Sequence, residues 1–173
     1  MDVLILRLIH ITAGAFWVGA VFTSIMFLQP TAMALGPGAG PFQAYLIRDR
    51  RFALAIITSA ALTVAAGVWL LWISTDGFDP DLALDPSRLG FTLGGAVAIL
   101  TFALGALYVY PRTVRVAGIV AGALAESRPP TPDEQAQLAA MRGQLTRAGW
   151  IVATGLAIAV IAMATARYWP IVL

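Results

Sequence analysis

Cysteine is absent from this chain of 173 residues, lysine is absent, and histidine occurs once. Without cysteine there are no disulfides, thiolate metal sites, iron–sulfur clusters or cysteine nucleophiles. Without lysine there is no side-chain amine for Schiff-base chemistry. All eleven basic residues are arginine, and the net charge of +2 is too small to suggest a nucleic-acid partner. Charged residues make up only 12% of the chain and hydrophobic ones 60%. Soluble domains carry roughly 25% charged residues. A water-soluble fold of this size buries only about 70% of the surface its unfolded chain exposes, too little to hide this much apolar area. Lipid as the solvent removes the difficulty.

What is present is a set of long uncharged runs. Leu8–Ile47, Phe52–Thr75, Leu89–Pro111 and Ala148–Ala166 contain no Asp, Glu or Arg. A membrane-spanning helix needs about 20 mainly apolar residues. The first run is too long for one helix and too short for two, and the stretch Gly36-Pro37-Gly38-Ala39-Gly40-Pro41 ends the helix within it. The expected fold is an all-α membrane protein, a four-transmembrane-helix bundle with spans at 3–28, 52–73, 89–110 and 148–168. A signal peptide is the competing reading of the N-terminus. It is disfavoured because the apolar stretch is too long and no secreted domain follows.

Arginine bias sets the expected orientation. Arg48, Arg50 and Arg51 lie between spans 1 and 2. Arg112, Arg115, Arg128, Arg142 and Arg147 lie between spans 3 and 4. The other side holds Arg7, Arg88 and Arg167 with Asp2, Asp76, Asp79, Asp81 and Asp85. Both termini are therefore expected outside a bacterial cytoplasmic membrane. Trp69, Trp72, Tyr168 and Trp169 fit the outer boundary, and Tyr108, Tyr110 and Trp150 the inner one. Residues 111–147 read as helices 3 and 4 continuing into the cytoplasm as an antiparallel hairpin. Pro129-Pro130 stops the first arm, and Thr131-Pro132-Asp133-Glu134 starts the second as a capping box. The hairpin is either a docking surface, for a second copy or a membrane-complex partner, or simply a connector. The pairs Ala15/Gly19, Gly90/Gly94 and Gly118/Gly122 offer small-residue packing faces.

Ionisable groups inside a bilayer are costly and usually functional. The spans contain no carboxylate, which argues against a pump-type proton relay, and no phosphate-binding loop is visible. His10 is the exception, about two turns into span 1. Gly14 and Trp17 follow it at helical spacing, so a flat ring can lie at Gly14 with Trp17 packed beside it. A neutral imidazole in an apolar pocket is a common axial ligand for haem iron. The alternative is a hydrogen bond from His10 to a threonine or a carbonyl of a neighbouring helix. Copper would draw on the thioethers of Met26, Met33 and Met163, but His10 and Met33 lie toward opposite ends of span 1. Arg50 and Arg51, with Arg48 and Asp49, either clamp an anionic group such as a propionate or anchor lipid headgroups.

Leu8-Ile9-His10-Ile11 followed by Phe16-Trp17-Val18-Gly19 resembles the start of the CopD/HemJ group of small membrane proteins. Arg50-Arg51-Phe52, Thr58 and Gly67-Val68-Trp69-Leu70-Leu71 are similar to the second helix of that group. The resemblance covers about the first 75 residues. It implies haem b bound at His10, with Gly14 and Trp17 forming the pocket, in a membrane oxidoreductase of the protoporphyrinogen oxidase type. The lysine that those enzymes use near the start of helix 3 has no counterpart in Leu89-Gly90-Phe91-Thr92-Leu93. One histidine per chain supplies one haem ligand, which makes a homodimer attractive. The alternative function is a non-enzymatic subunit of a membrane complex or a CopD-like copper handler.

Overall fold

The computed structural model describes residues 3–172, the side chains of Pro37 and Val172 excepted. Asp2, counted above in the charge bias, lies outside the described residues. Four helices are long and apolar enough to cross a membrane: α1 (Val3–Leu35), α2 (Phe52–Ser74), α3 (Pro86–Ala125) and α4 (Pro132–Ile171). No strand occurs among the described residues. α1 packs most extensively on α2, and α3 on α4. The two pairs close into a bundle through α2–α3 and α1–α4 contacts. This is an all-α four-helix membrane bundle, as the uncharged runs predict. Its outer face is apolar, with Leu100 71% and Leu107 79% exposed. That is a lipid-facing surface rather than a scatter of stray apolar residues.

The two ends of the bundle differ in charge. The α2–α3 connection brings Asp76, Asp79, Asp81 and Asp85 to one end. The α1–α2 and α3–α4 connections bring most of the arginines to the other. At the Asp-rich end, Asp79 caps a short helix, Pro80–Ala83, by accepting from the Asp81 and Leu82 amides at 2.8 and 3.3 Å. Asp85 caps α3 by accepting from the Ser87 amide at 2.8 Å. The Ser87 contacts hold the Asp85 carboxyl below its usual range.

α1 runs past the expected span boundary at Leu28 and ends at Leu35, at the start of the stretch 36–41 expected to break it. The run past Leu28 turns on how the helix handles Pro30. A proline inside a helix lacks an amide hydrogen, and its ring clashes with the carbonyl four residues back. Here the turn before it, Ser24–Leu28, widens to π geometry, with the Gln29 amide donating to Ser24 O. α3 does the same at Pro111, where Gly105–Val109 widens and the Tyr110 amide donates to Gly105 O. A third π turn, Tyr45–Asp49, precedes α2.

α3 and α4 have 40 residues each. At 1.5 Å per residue each is about 60 Å long, twice a hydrocarbon core of about 30 Å. Their excess length projects at the Arg-rich end as the expected hairpin. Its inner face is partly covered by the chain itself, because Ala44 of the short helix Gly40–Ala44 packs with Val120 and Leu138. α3 ends in a left-handed residue, Ser127 (φ 51°). The Ser127 amide donates to Leu124 O and the Arg128 amide to Ala123 O, a Schellman-type stop.

The capping box at α4 forms as expected. The Thr131 amide donates to Glu134 Oε2 at 2.7 Å, and the Glu134 amide to Thr131 Oγ1 at 3.3 Å. Arg128 adds a bidentate pair to Glu134 at 2.7 and 3.0 Å and bonds Glu126 at 2.5 Å. Arg128 and the capping bonds hold the Glu134 carboxyl well below its ordinary value, at about 2. A depressed carboxylate stabilises the fold fully above its unfolded pKa. The contribution is lost as pH falls through the folded one. Protection of the hairpin-tip amides, taken relative to their intrinsic exchange rates at each pH, is therefore expected to be flat from neutral pH to about 4.5 and to fall as pH approaches 2. Glu134→Gln should remove that fall, measured by hydrogen exchange on the purified protein.

Candidate functional site

His10 is half-buried on α1 and faces α2. Its Nδ1 lies 2.8 Å from the carbonyl oxygen of Thr63. A carbonyl only accepts, so Nδ1 carries the hydrogen and donates it. In the neutral ring this leaves the lone pair on Nε2. The Thr63 carbonyl can take part because its own helix leaves it a second lone pair, and Thr63 Oγ1 turns back to Ser59 O at 2.7 Å.

The ring fits because residue 67 is glycine. A Cβ there would lie 2.7 Å from His10 Cε1 and 2.9 Å from Nδ1. Gly14, expected to leave room for a flat ring beside His10, faces Thr63. A Cβ at Gly14 would lie 3.3 Å from Thr63 Cγ2. Ser59, Thr63 and Ala66 recur at helical spacing on the buried face of α2. Together with Gly67 they form the shelf on which α1 rests.

The other candidates lie elsewhere. Trp17 is buried two turns along α1 and meets Phe102 of α3 edge-on, with ring centroids 6.4 Å apart. Arg50 and Arg51 are exposed at the start of α2. Twelve residues separate Arg51 from Thr63, about 18 Å along the helix. The structure therefore brings Thr63 and Gly67 to His10, and leaves Trp17, Arg50 and Arg51 apart from it. Met33 lies near the Arg-rich end, whereas Met163 packs at Gly94 near the Asp-rich end, so these thioethers do not converge. No group of three His, Cys, Asp or Glu side chains suited to a metal occurs among the described residues.

A cavity lies away from His10. It has a volume of about 380 Å³ and lies between all four helices in the Arg-rich half. Trp17, Ile25, Ala60, Phe102 and Val152 form its apolar walls, and Gln29, Gln43 and Arg142 lie toward its other end. Nothing in the residue pattern announced this cavity except the two internal prolines, whose π turns border it.

No family model, curated protein or solved structure matches this chain.

The His10 shelf has a direct test. Gly67→Ala should push the imidazole off Thr63 and destabilise the protein by about 1–3 kcal/mol, the usual cost of overpacking. Gly19→Ala, where an added Cβ meets nothing within 4 Å, should be neutral or slightly stabilising. Reversible unfolding in mixed detergent micelles separates the two.

Proposed function

We propose that this membrane protein binds haem b through His10 and acts in electron transfer. The observation that carries the reading is the hydrogen bond from His10 Nδ1 to Thr63 O at 2.8 Å. A histidine that ligates a metal commonly donates its other ring hydrogen to a carbonyl, which fixes the ring and raises its basicity. Here that bond leaves Nε2 as the ligating atom on a ring that is only half-buried. The resemblance of the first two helices to the CopD/HemJ group points to the same residue.

In this reading His10 binds the iron, the Thr63 carbonyl orients the ring, and Gly67 provides the space. Haem, when bound, supplies a one-electron couple. His10 of a second copy, or a non-histidine group, would supply a further ligand, and the first would make the working unit a homodimer. Porphyrinogen oxidation of the HemJ kind would need a group other than the helix-3 lysine, which this chain lacks. Arg50 and Arg51, exposed at the membrane boundary, serve as headgroup anchors in this reading. By the positive-inside rule the Arg-rich end faces the cytoplasm and both termini face outward.

The bond between His10 and Thr63 also ties α1 to α2, and that favours a second reading. His10 is then purely structural, and the chain is a non-enzymatic subunit whose hairpin meets a partner. Protein purified from haem-sufficient cells should show a Soret band under the first reading. His10→Ala should abolish the band while leaving the folded yield within about twofold. Colourless wild-type protein would overturn the haem reading in favour of the second.

A further inference from the structure

The cavity in the Arg-rich half has no role in the His10 reading. Toward the bundle centre its wall is apolar, with Trp17 and Val21 on α1, Phe102 on α3 and Val152 on α4. Toward the Arg-rich end the lining becomes mixed. Ser24 and Gln29 on α1, Tyr110 and Thr113 on α3, and Thr146 and Arg142 on α4 join it, alongside apolar residues such as Met33 and Val116. Trp17 and Gln29 lie about 18 Å apart along α1.

Several polar groups at that end have spare hydrogen-bonding capacity. Ser24, Thr113 and Thr146 donate to carbonyls of their own helices, at 2.7, 2.9 and 3.0 Å. The side chains of Gln29, Gln43 and Arg142 make no hydrogen bond or ion pair among the described residues. Arg128, by contrast, is matched by two carboxylates. Arg142, an exposed side chain, thus contributes an unmatched cation, and the two glutamines unmatched amides, to the mixed half of the cavity.

A second observation is independent of side-chain chemistry. Each of the three π turns contributes to this wall: Ser24, Ile25 and Leu28 from the first, Leu46 and Ile47 from the second, Gly105 and Val109 from the third. Isolated π turns are rare and concentrate at functional sites. Three of them from separate segments border one cavity.

We infer that this cavity binds a lipid-leaflet amphiphile with one apolar tail and one anionic head. The tail lies between Trp17, Phe102 and Val152, and the head meets Arg142, Gln29 and Gln43. Its volume of about 380 Å³ is near the lower end of small-molecule sites, which suits one tail rather than two. The inference is independent of haem binding at His10.

The test uses the full chain in detergent micelles with four probes. Oleate and farnesyl phosphate carry anionic heads; oleyl alcohol and farnesol are their uncharged counterparts. Each anion should bind at one per chain and at least tenfold more tightly than its alcohol. Binding of only one anion identifies the head as carboxylate or phosphate and upholds the inference. Arg142→Gln should weaken the anions about tenfold, as for loss of a charge-assisted contact, and leave the alcohols unchanged. Gly105→Leu adds a side chain where a Cβ meets nothing within 4 Å, and should abolish binding of all four. Val109→Phe carries the same test if that variant fails to fold, with thermal unfolding as the check. Equal binding of anions and alcohols overturns the anionic head. Unchanged binding in a folded cavity-filling variant overturns the site.

Discussion

Lipid gives helices no hydrophobic reason to associate, so this bundle depends on how closely its backbones approach. A Cβ at Gly90 would lie 2.7 Å from Ala166 Cβ, and one at Gly94 2.9 Å from Met163. Gly149 receives Ile25 and Gly155 receives Thr101 in the same way, and Gly67 receives His10. Most pairwise contacts in the bundle are thus set by a residue that lacks a side chain. The buried hydroxyls of Ser59, Thr63 and Thr101 bond to their own helices and do not bridge to others. Dispersion at short range carries the load that water would carry in a soluble core.

The sequence displayed the large features of this fold because charge is so scarce in it. Uncharged runs marked the spans, and Thr131 with Glu134 marked the start of α4. Two kinds of detail were hidden. Nothing in the pattern showed that the helices pass Pro30 and Pro111 by widening one turn each. Small-residue spacing was ambiguous as well. Gly90/Gly94 pack as expected, but Gly19, Gly118 and Gly122 would meet no atom within 4 Å through an added Cβ. The pattern shows which residues permit close approach, not which face meets a neighbour.

The candidate site was legible in the same uneven way. His10 stood out as the only histidine. Its partner did not, since the acceptor is a backbone carbonyl and any residue type would supply one. Gly67 was visible within the helix-2 motif, but only antiparallel pairing shows that it lies against the imidazole. The cavity was hidden for a different reason. Its walls are ordinary apolar residues on four helices, distinguished only by the space they fail to fill.

The bundle is uneven in length, and this bears on how anything enters that space. α2 has 23 residues against 33 for α1 and 40 each for α3 and α4. It alone roughly matches the hydrocarbon thickness, and it begins at Phe52, in the cavity wall. The cavity therefore lies at the depth where a leaflet's acyl chains begin. A solute reaching it from there is already partitioned into the membrane, and its effective concentration is a mole fraction in the bilayer rather than a molarity in water. Modest intrinsic affinity would suffice for occupancy, and apparent affinity would shift with the amount of lipid present.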